Sequence, residues 1–461
     1  MKISTQLTAA LVATGLVSQA MATDPVVYLT GSTAFRSTAF LALADNNGDA
    51  GAVFDAGSVT FGTWGSGSAS GANYMVFHGT IGGAGVYVDC AWSGSEAGIA
   101  SACNSTLQNI RRDNTTTPLA GSPETWVDYT TATLASAPAG NVQSGNPGPN
   151  GSPANGAQLE ASSHGSDLAT ADTSQAVSWT PAVANTQTAL KDYGSPCVVT
   201  FTMTRNVNPN PSTDWLECSN LTLPQLQVMT ANGYAPAWFI SGDPNALQNV
   251  YLVGRNLGSG TRMNYLSDSA YGAHKSIIQN SIGYGVDNRD PGQSVTTLLL
   301  QNEGDNGYES GGGVAKALAN TGGSTTSGSC QQTDPIHGGT GWFAVGYLSP
   351  SDALNPSNNG NQNGNGTGLF CNTNNWVTLD GVPSNNNNIE NGQWWFWGHE
   401  HLYGKFQISG TQDTIGNKLF NAIGGQITLQ NFGVAPGGHD PGIPYSLMFV
   451  SKSSDVAFPS F

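Results

Sequence analysis

Residues 250–262 read VYLVGRNLGSGTR, and no other stretch is as informative about the fold class. Val250 to Val253 are a short apolar, β-branched run, which predicts a buried strand. The small-residue turn GSGT follows at 258–261, and the chain after it has a helical pattern. Strand, turn and helix in succession are typical of α/β domains with mostly parallel sheets.

The same succession of strand, turn and helix occurs near the beginning of the chain. VVYLT at 26–30 predicts a strand, Gly31-Ser32-Thr33 a turn, and residues 34–44 a helix. The remaining clear elements are predicted strands at 198–203 and 343–348 and predicted helices at 223–229 and 314–318. The chain is therefore expected to alternate strands and helices.

Three strand-to-helix junctions share Gly and hydroxyl residues: the first is Gly31-Ser32-Thr33, the second is Ser93 to Gly98, and the third is Gly258 to Arg262. A helix N-terminus offers unpaired N–H groups and the positive end of its dipole, and small residues let an anion approach them. A Ser or Thr at such a position most often only caps its helix, so capping and anion binding both stay open. The candidate residues are Ser32, Thr33, Ser93, Ser95, Ser259, Gly260 and Thr261.

Arg255 strengthens the third junction, because it stands three residues before the turn. A guanidinium at the end of a strand suits a bidentate clamp on a tetrahedral oxyanion. The alternative is an arginine in a surface ion pair.

Composition limits the class of function. The 461 residues suggest roughly two domains. Fourteen Lys and Arg against thirty Asp and Glu give a net charge of −16. Such a surface repels phosphate backbones and anionic lipid, so nucleic acid and membrane surfaces are not expected partners.

The N-terminus has the pattern of an export signal. One lysine precedes an apolar run at 7–17, and Ala20-Met21-Ala22 fits a small-residue cleavage site. The run is about half as long as the roughly twenty residues that a membrane span needs. We therefore expect residues 1–22 to be a signal peptide and the mature chain to be periplasmic or secreted, and not membrane-spanning.

Six cysteines agree with an oxidising compartment. Because neighbours in the sequence close the shortest loops, we expect three disulfides, although other pairings are formally open. The expected pairs are Cys90 with Cys103, Cys197 with Cys218, and Cys330 with Cys371.

Taken in order, these pieces resemble the phosphate-binding proteins of ABC transporters. Arg255 with GSGTR at 258–262 is similar to the family's R-x-x-GSGTR signature, and LTGSTAF at 29–35 and SGSEAGI at 93–99 resemble its earlier anion-binding turns. DLATADTSQ at 167–175 is similar to the segment that carries the family's ligand aspartate, which would be Asp172. The resemblance runs from about residue 26 to 410.

The resemblance implies an α/β fold of the type II periplasmic-binding-protein class, with two discontinuous lobes joined by a hinge. Lobe 1 would take residues 24–198 and 346–461, and lobe 2 residues 199–345. Insertions rich in Gly, Pro and Asn are expected near 137–165 and 354–392.

The implied function is the capture of phosphate, or a related tetrahedral oxyanion, in the cleft between the lobes. Arg255 would supply positive charge, the turns would donate hydrogen bonds, and Asp172 would accept the hydrogen of a protonated phosphate oxygen. An ABC transporter permease is the implied partner. Because no bond is made or broken, we expect no catalytic residue and no cofactor.

Two other functions stay open. The long Asn- and Gly-rich insertions and the lack of a lipid-anchor cysteine favour a secreted surface or matrix protein that keeps the fold without transport. A secreted phosphatase is less favoured, because it would need a metal cluster or an activated nucleophile that the sequence does not reveal. His399 and His401 could form a metal pair, but their spacing is not HExxH and the aromatic residues beside them favour a structural role, so we expect no metal site.

Overall fold

Two large β-sheets, with helices packed against them, make up the protein. The computed structural model describes residues 24–45, 47–48, 51–64, 71–72, 74–104, 125–127, 135–136, 159–161, 165–206, 217–283, 299–319, 343–354, 373–428, 442–455, 457 and 459–460. The predicted signal peptide and Cys330 and Cys371 lie outside the described residues, as does nearly all of 137–165. Of the helices in these ranges, none is long and apolar enough to cross a membrane.

The strands are numbered here in chain order. They are β1 Val26–Gly31, β2 Thr60–Trp64, β3 Tyr74–Ile81, β4 Ala84–Ala91, β5 Thr125–Val127, β6 Ala135–Ser136, β7 Leu159–Ala161, β8 Leu168–Ala171, β9 Lys191–Thr200, β10 Thr202–Arg205, β11 Asn220–Leu221, β12 Tyr234–Pro236, β13 Asn249–Val253, β14 Gln279–Gly283, β15 Leu299–Gly304, β16 Phe343–Leu348, β17 Trp376–Leu379, β18 Trp397–Gly404 and β19 Gly442–Ile443.

The helices follow the same convention. They are α1 Arg36–Ala44, α2 Ser95–Ala102, α3 Leu223–Asn232, α4 Ala237–Ser241, α5 Gly260–Asp268, α6 Gly311–Ala319, α7 Pro350–Leu354, α8 Asn386–Glu390 and α9 Gly410–Thr428. The predicted start of α3 is confirmed: Thr222 is its N-cap, and its backbone N–H donates to Gln225 Oε1 at 2.8 Å.

Among the described strands, the first sheet has the order β19-β9-β18-β8-β1-β4-β3-β2-β6 and the second the order β11-β17-β10-β16-β13-β12. Two short sheets pair β14 with β15 and β5 with β7. The mixed α/β class is confirmed. The expectation of mostly parallel sheets is wrong, because in the two large sheets only β1–β4, β1–β8, β11–β17 and β13–β16 are parallel among the described pairs.

One of the antiparallel pairs has a local cause. β3 and β4 form a hairpin whose two connecting residues, Gly82 and Gly83, have φ values of 59° and 81°. Both angles lie in the left-handed region that glycine tolerates best, and such turns fit the twist of a hairpin. Strand pairs joined by so short a turn must be antiparallel.

The chain passes between the two sheets at adjacent places. β9 in the first sheet continues through Phe201 into β10 in the second, and the return lies between β17 and β18. The two passages bond to each other: Trp394 Nε1 donates to Phe201 O at 3.0 Å, and Phe201 N to Phe396 O at 3.3 Å. The first sheet is therefore built from two separate stretches, 26–200 and 397–443, and the second from the stretch between them, 202–379, in a two-lobed arrangement.

The limits given above for the lobes stay a prediction, and strand pairing adds one fact to them. β17, inside the range 354–392 expected to be an insertion, pairs with β10 in the second sheet. Val377 and Leu379 are each 1% exposed, so an ordinary alternating strand lies within an Asn-rich stretch.

Each large sheet has its own apolar core. Phe40 of α1 packs on Phe61 and Phe77 of the first sheet, with ring centroids 5.2 and 5.8 Å away. In the second core, Tyr265 of α5 stacks on Tyr347 of β16 at 4.2 Å.

The predicted disulfides Cys90–Cys103 and Cys197–Cys218 are absent from the structure, where all four residues are buried and neither pair is bonded. Cys90 and Cys103 belong to different apolar clusters, as do Cys197 and Cys218. The shortest-loop argument was therefore wrong for these pairs, because closeness in sequence did not place the two side chains in one cluster.

Candidate functional site

The three small-residue turns meet at one place, and strand pairing explains two of them. β1 is parallel to both β4 and β8, so the carboxyl ends of the three strands reach the same edge of the sheet. The turn after β1, the turn after β4 and Asp172 after β8 all leave from that edge. The third turn comes from the second sheet, at the end of β13.

The first turn is held tightly against β8. Ser32 N donates to Thr170 O at 2.9 Å, and Ser32 Oγ accepts from Phe35 N at 3.2 Å. Gly31 has a φ of 126°, and a Cβ there would lie 1.9 Å from Thr170 O. Only glycine fits this position, so the first turn lies directly on the neighbouring strand.

The second and third turns contact each other across the two lobes. The backbone N–H groups of Glu96 and Ala97, in the first turn of α2, donate to Gly258 O at 2.9 and 3.2 Å. A Cβ on Gly94 would lie 2.5 Å from the same oxygen. The N-terminus of α2 thus binds a partly negative carbonyl oxygen at the point where an anion was predicted.

Asp172 lies between the second and third turns and is 1% exposed. Ser95 Oγ donates to one of its carboxylate oxygens, and Thr261 Oγ1 donates to the other at 3.1 Å. A Cβ on Gly260 would lie 2.0 Å from Asp172 Oδ1, so a side chain there would displace the carboxylate. Burial raises the pKa of Asp172 to about 6, against the opposing effects of the Arg255 charge and the Thr261 hydroxyl.

Arg255 is also buried, at 1% exposed, which excludes the surface ion pair. Its Nε donates to Tyr308 O at 3.2 Å, and its Nη2 donates to Glu309 O at 2.7 Å and to Thr33 Oγ1 at 3.1 Å. Burial lowers the pKa of Arg255, while the charges of Asp352 and Asp172 raise it. The contact with Thr33 joins the second sheet to the first turn.

The remaining predicted residues have smaller roles in this geometry. Ser259 Oγ accepts from Arg262 N at 3.3 Å, which is the capping role left open above. Ser93 is half-buried, and its hydroxyl lies 3.0 Å from Thr30 Oγ1. The structure therefore groups Ser32, Thr33, Ser95, Asp172, Arg255, Gly260 and Thr261 most closely, with Ser93 and Ser259 at their margin.

Sequence reasoning missed several buried polar residues around this site. Glu400 of β18 is fully buried, and burial together with the charge of Asp172 raises its pKa well above the usual value. Arg36 begins α1 directly after the first turn, and its Nη2 lies 3.5 Å from Asp352 Oδ1. Asn264 Nδ2 donates to Asp172 O at 2.7 Å. Of the three, only Arg36 had a local signal, as a cation beside a predicted anion turn.

Glu96 is a further buried carboxyl near Asp172. Its oxygens accept from Thr173 Oγ1 at 2.7 Å and from Trp179 N at 2.8 Å. Burial raises the pKa of Glu96 to about 7, although these two hydrogen bonds oppose the rise. The carboxyl is thus bound by the segment after Asp172, whereas the backbone N–H of the same residue donates to Gly258 O in the third turn.

Comparison with known proteins gives a likeness to solved structures. No family model matches the chain, and no curated protein matches it. A phosphate ABC transporter substrate-binding protein with bound phosphate from Clostridium perfringens is similar over 88% of this chain and 97% of that one, with 13% identity and a TM-score of 0.40.

Two further solved structures show the same kind of likeness. An ABC-type phosphate transport receptor from Vibrio cholerae is 12% identical, covers 88% of this chain and 98% of its own, and has a TM-score of 0.34. PstS from Borrelia burgdorferi is 9% identical, covers 89% and 98%, and has a TM-score of 0.33. Over most of its length the chain is therefore similar to phosphate ABC transporter substrate-binding proteins, at an identity that assigns no role to any residue.

Proposed function

We propose that the protein binds phosphate, or a related tetrahedral oxyanion, where the three turns meet. The observation that carries this proposal is the position of Asp172. An acceptor-only carboxylate is buried among the hydroxyls of Ser95 and Thr261, beside a helix N-terminus and near the guanidinium of Arg255. Hydroxyl donors surround the Asp172 carboxylate, which can accept the one hydrogen of a protonated anion.

In the arrangement described here, the proposed site is closed upon itself. Gly258 O occupies the N–H groups of α2, and Arg255 donates to Thr33 and to two backbone carbonyls. Entry of an anion requires the third turn to move away from the second. The adjacent passages of the chain at Phe201 and Phe396 are suited to such a hinge motion.

The energetics permit this exchange of partners. A micromolar dissociation constant corresponds to about −8 kcal/mol. An anion would replace the Gly258 carbonyl at the N-terminus of α2 by a full negative charge, and charge-assisted hydrogen bonds are roughly twice as strong as neutral ones. The free energy gained from the hydrogen bonds to the anion has to exceed the free energy lost when the contacts between the lobes break.

Phosphate is favoured over sulfate for a chemical reason. Near neutral pH a phosphate oxygen carries a hydrogen that Asp172 can accept, whereas fully ionised sulfate would place its charge against the Asp172 carboxylate. The protein would then act as an exported solute-binding protein, without catalysis, that delivers phosphate to an ABC transporter permease.

A calorimetric titration tests the proposal. Protein freed of bound anion by partial unfolding and dialysis is titrated with phosphate and, separately, with sulfate, at one pH and one ionic strength. We expect a single phosphate site with weaker or no sulfate binding. The Lys191→Ala variant is the control, because Lys191 forms a half-exposed ion pair with Asp413 away from the turns and its loss should leave the titration unchanged.

One observation favours a second function. Because the donors of the proposed site already bond to groups of the protein itself, the same structure suits a secreted surface or matrix protein that has kept the fold without capturing an anion. The titration separates the two functions. If neither phosphate nor sulfate produces heat or shifts the melting temperature at millimolar concentration, the binding proposal is overturned.

A further inference from the structure

A second cluster of chemically capable side chains lies on β18, outside the turns. His399 and His401 are two residues apart on this strand, so both side chains lie on one face of the sheet. Asp455, from the segment after β19, lies against that face. Within this cluster, the candidate ligand atoms of the three residues all lie within 4.8 Å of one another.

The distances are close to those of a metal site. His399 Nδ1 lies 2.8 Å from Asp455 Oδ1, and His401 Nε2 lies 3.5 Å from Asp455 Oδ2. Ligands at about 2.1 Å from a tetrahedral ion are about 3.4 Å apart. A rearrangement of about 1 Å would therefore bring three ligand atoms to one ion.

We propose that His399, His401 and Asp455 bind a divalent transition-metal ion of the zinc class. Two imidazole nitrogens with one carboxylate oxygen are a donor set that Zn²⁺, Co²⁺ and Ni²⁺ accept readily. Mg²⁺ and Ca²⁺ prefer oxygen ligands and should not compete. The sequence alone favoured a structural role for the two histidines, because their spacing is not HExxH and aromatic residues stand beside them.

His401 supports this assignment more strongly than the other two residues. Neither of its ring nitrogens makes a hydrogen bond within the described part of the chain, although the side chain is only 14% exposed. Its ring stacks on Tyr403 at 5.5 Å, which fixes its orientation. The 3.5 Å contact with Asp455 is long for a hydrogen bond, and a largely buried imidazole without a well-formed hydrogen bond is costly unless something else binds it; a metal ion would do so.

The carboxylate is also held in place. Asp455 is 2% exposed, and its Oδ2 accepts from Ser174 N at 2.6 Å. Hydrogen bonds of this kind orient metal ligands in known sites. The partial exposure of both histidines, 17% and 14%, leaves room for water as the remaining ligand.

Metal binding here would fasten the C-terminal segment to the middle of the molecule. The same segment places Lys452 against Asp268 of α5, with Nζ 2.8 Å from a carboxylate oxygen, in a pair that is almost fully buried. A bound ion would thus join β18 of the first sheet to a segment that also contacts a helix next to the third turn. The expected result is stabilisation of the whole chain.

Direct binding measurements test the site. Chelator-treated protein in phosphate-free buffer is titrated with Zn²⁺ in a calorimeter and with Co²⁺ in a spectrophotometer. We expect one ion per chain, the visible absorption of a four- or five-coordinate Co²⁺ site, and a higher melting temperature with Zn²⁺ but not with Mg²⁺. Failure of the intact protein to bind Zn²⁺ or Co²⁺ would overturn the proposal.

Variants locate the site. His401→Gln and Asp455→Asn should each weaken Zn²⁺ binding by at least about tenfold. His78→Gln is the matched control, because His78 pairs with Asp24 at 2.8 Å and the residues that the structure describes add no third ligand to this pair. Unchanged Zn²⁺ affinity in folded His401→Gln protein, or loss of the ion in His78→Gln, would overturn the assignment. Neither outcome depends on whether phosphate binds at Asp172.

Discussion

Two buried aspartates, Asp172 and Asp455, are in contrasting environments. Their exposures are almost equal, at 1% and 2%, so the loss of water alone does not distinguish them. Asp172 is bound by the hydroxyls of Ser95 and Thr261 and has a pKa raised by burial to about 6. Burial disfavours the Asp455 carboxylate too, but the neighbouring imidazoles of His399 and His401 hold its pKa well below the usual range.

The difference shows that the partners of a buried carboxylate, more than its depth, decide its chemistry. Neutral hydroxyls satisfy the oxygens without cancelling the charge, so Asp172 keeps an affinity for a hydrogen and suits a protonated anion. Imidazoles can carry the compensating charge or give their nitrogens to a metal ion, so Asp455 suits a cation site.

The largest expected effect is the loss of stability when Asp455, the carboxylate paired with two histidines, is removed. Asp455→Ala should lower the free energy of unfolding by about 3–5 kcal/mol at pH 7, because it leaves two histidines and Ser174 N without their buried partner. Urea unfolding in the presence of chelator measures it. Asp24→Ala is the control, since its pair with His78 is partly exposed and its removal should cost less than about 1 kcal/mol. An equal loss of unfolding free energy in Asp455→Ala and Asp24→Ala would contradict this prediction.

Arg255→Lys tests the charge next to Asp172. Lysine keeps a positive charge but loses the planar fork that reaches Tyr308 O, Glu309 O and Thr33 Oγ1. Phosphate affinity should fall about 100-fold, which is about 3 kcal/mol. Calorimetric titration of Arg255→Lys with phosphate, with Lys191→Ala as the control, measures the change. A phosphate affinity within about threefold of the parent would place Arg255 outside the binding site.

Asp172→Asn tests the raised pKa through stability. The folded pKa of about 6 lies above the ordinary value of 3.8, so the folded state holds this proton more tightly than the unfolded state does. The contribution of Asp172 is fully present below about pH 4 and is lost as the pH rises to 6. Relative to the Asn variant, the parent should therefore lose about 3 kcal/mol between pH 3.5 and 7.

Urea unfolding of both proteins at several pH values measures this difference. Asp192→Asn provides an exposed carboxylate for comparison. A stability difference between parent and Asp172→Asn that does not change with pH would mean that Asp172 ionises as freely in the folded chain as in the unfolded one.

The smallest expected effect is on anion choice. An amide can donate where a carboxylate only accepts, so Asp172→Asn should narrow the preference for phosphate over sulfate by about tenfold, just over 1 kcal/mol. Competition titrations at one pH and one ionic strength measure the ratio. An unchanged ratio would show that Asp172 does not touch the anion.

Sequence reasoning was most successful where neighbours in the chain carry the information. The strand at 343–348 and the helix that begins after Thr222 are as predicted, because apolar runs and capping residues act within a few positions. β17 was missed because its apolar residues Val377 and Leu379 are surrounded by asparagines that resemble a loop. The cysteine pairs failed because loop length does not determine which apolar cluster a side chain enters.

By itself, the sequence indicated the mixed α/β class, the three small-residue turns, and Arg255 and Asp172 as the charged residues to examine. Only the tertiary structure decided that Gly258 O closes the N-terminus of α2, that Glu96 and Glu400 are buried beside Asp172, and that Asp455 reaches His399 and His401 across more than fifty positions. The physical reason is how far apart in the sequence the interacting residues lie. Backbone propensity and capping depend on residues a few places apart, whereas the pKa of a buried acid and the assembly of a metal site depend on partners that only folding brings within a few ångströms.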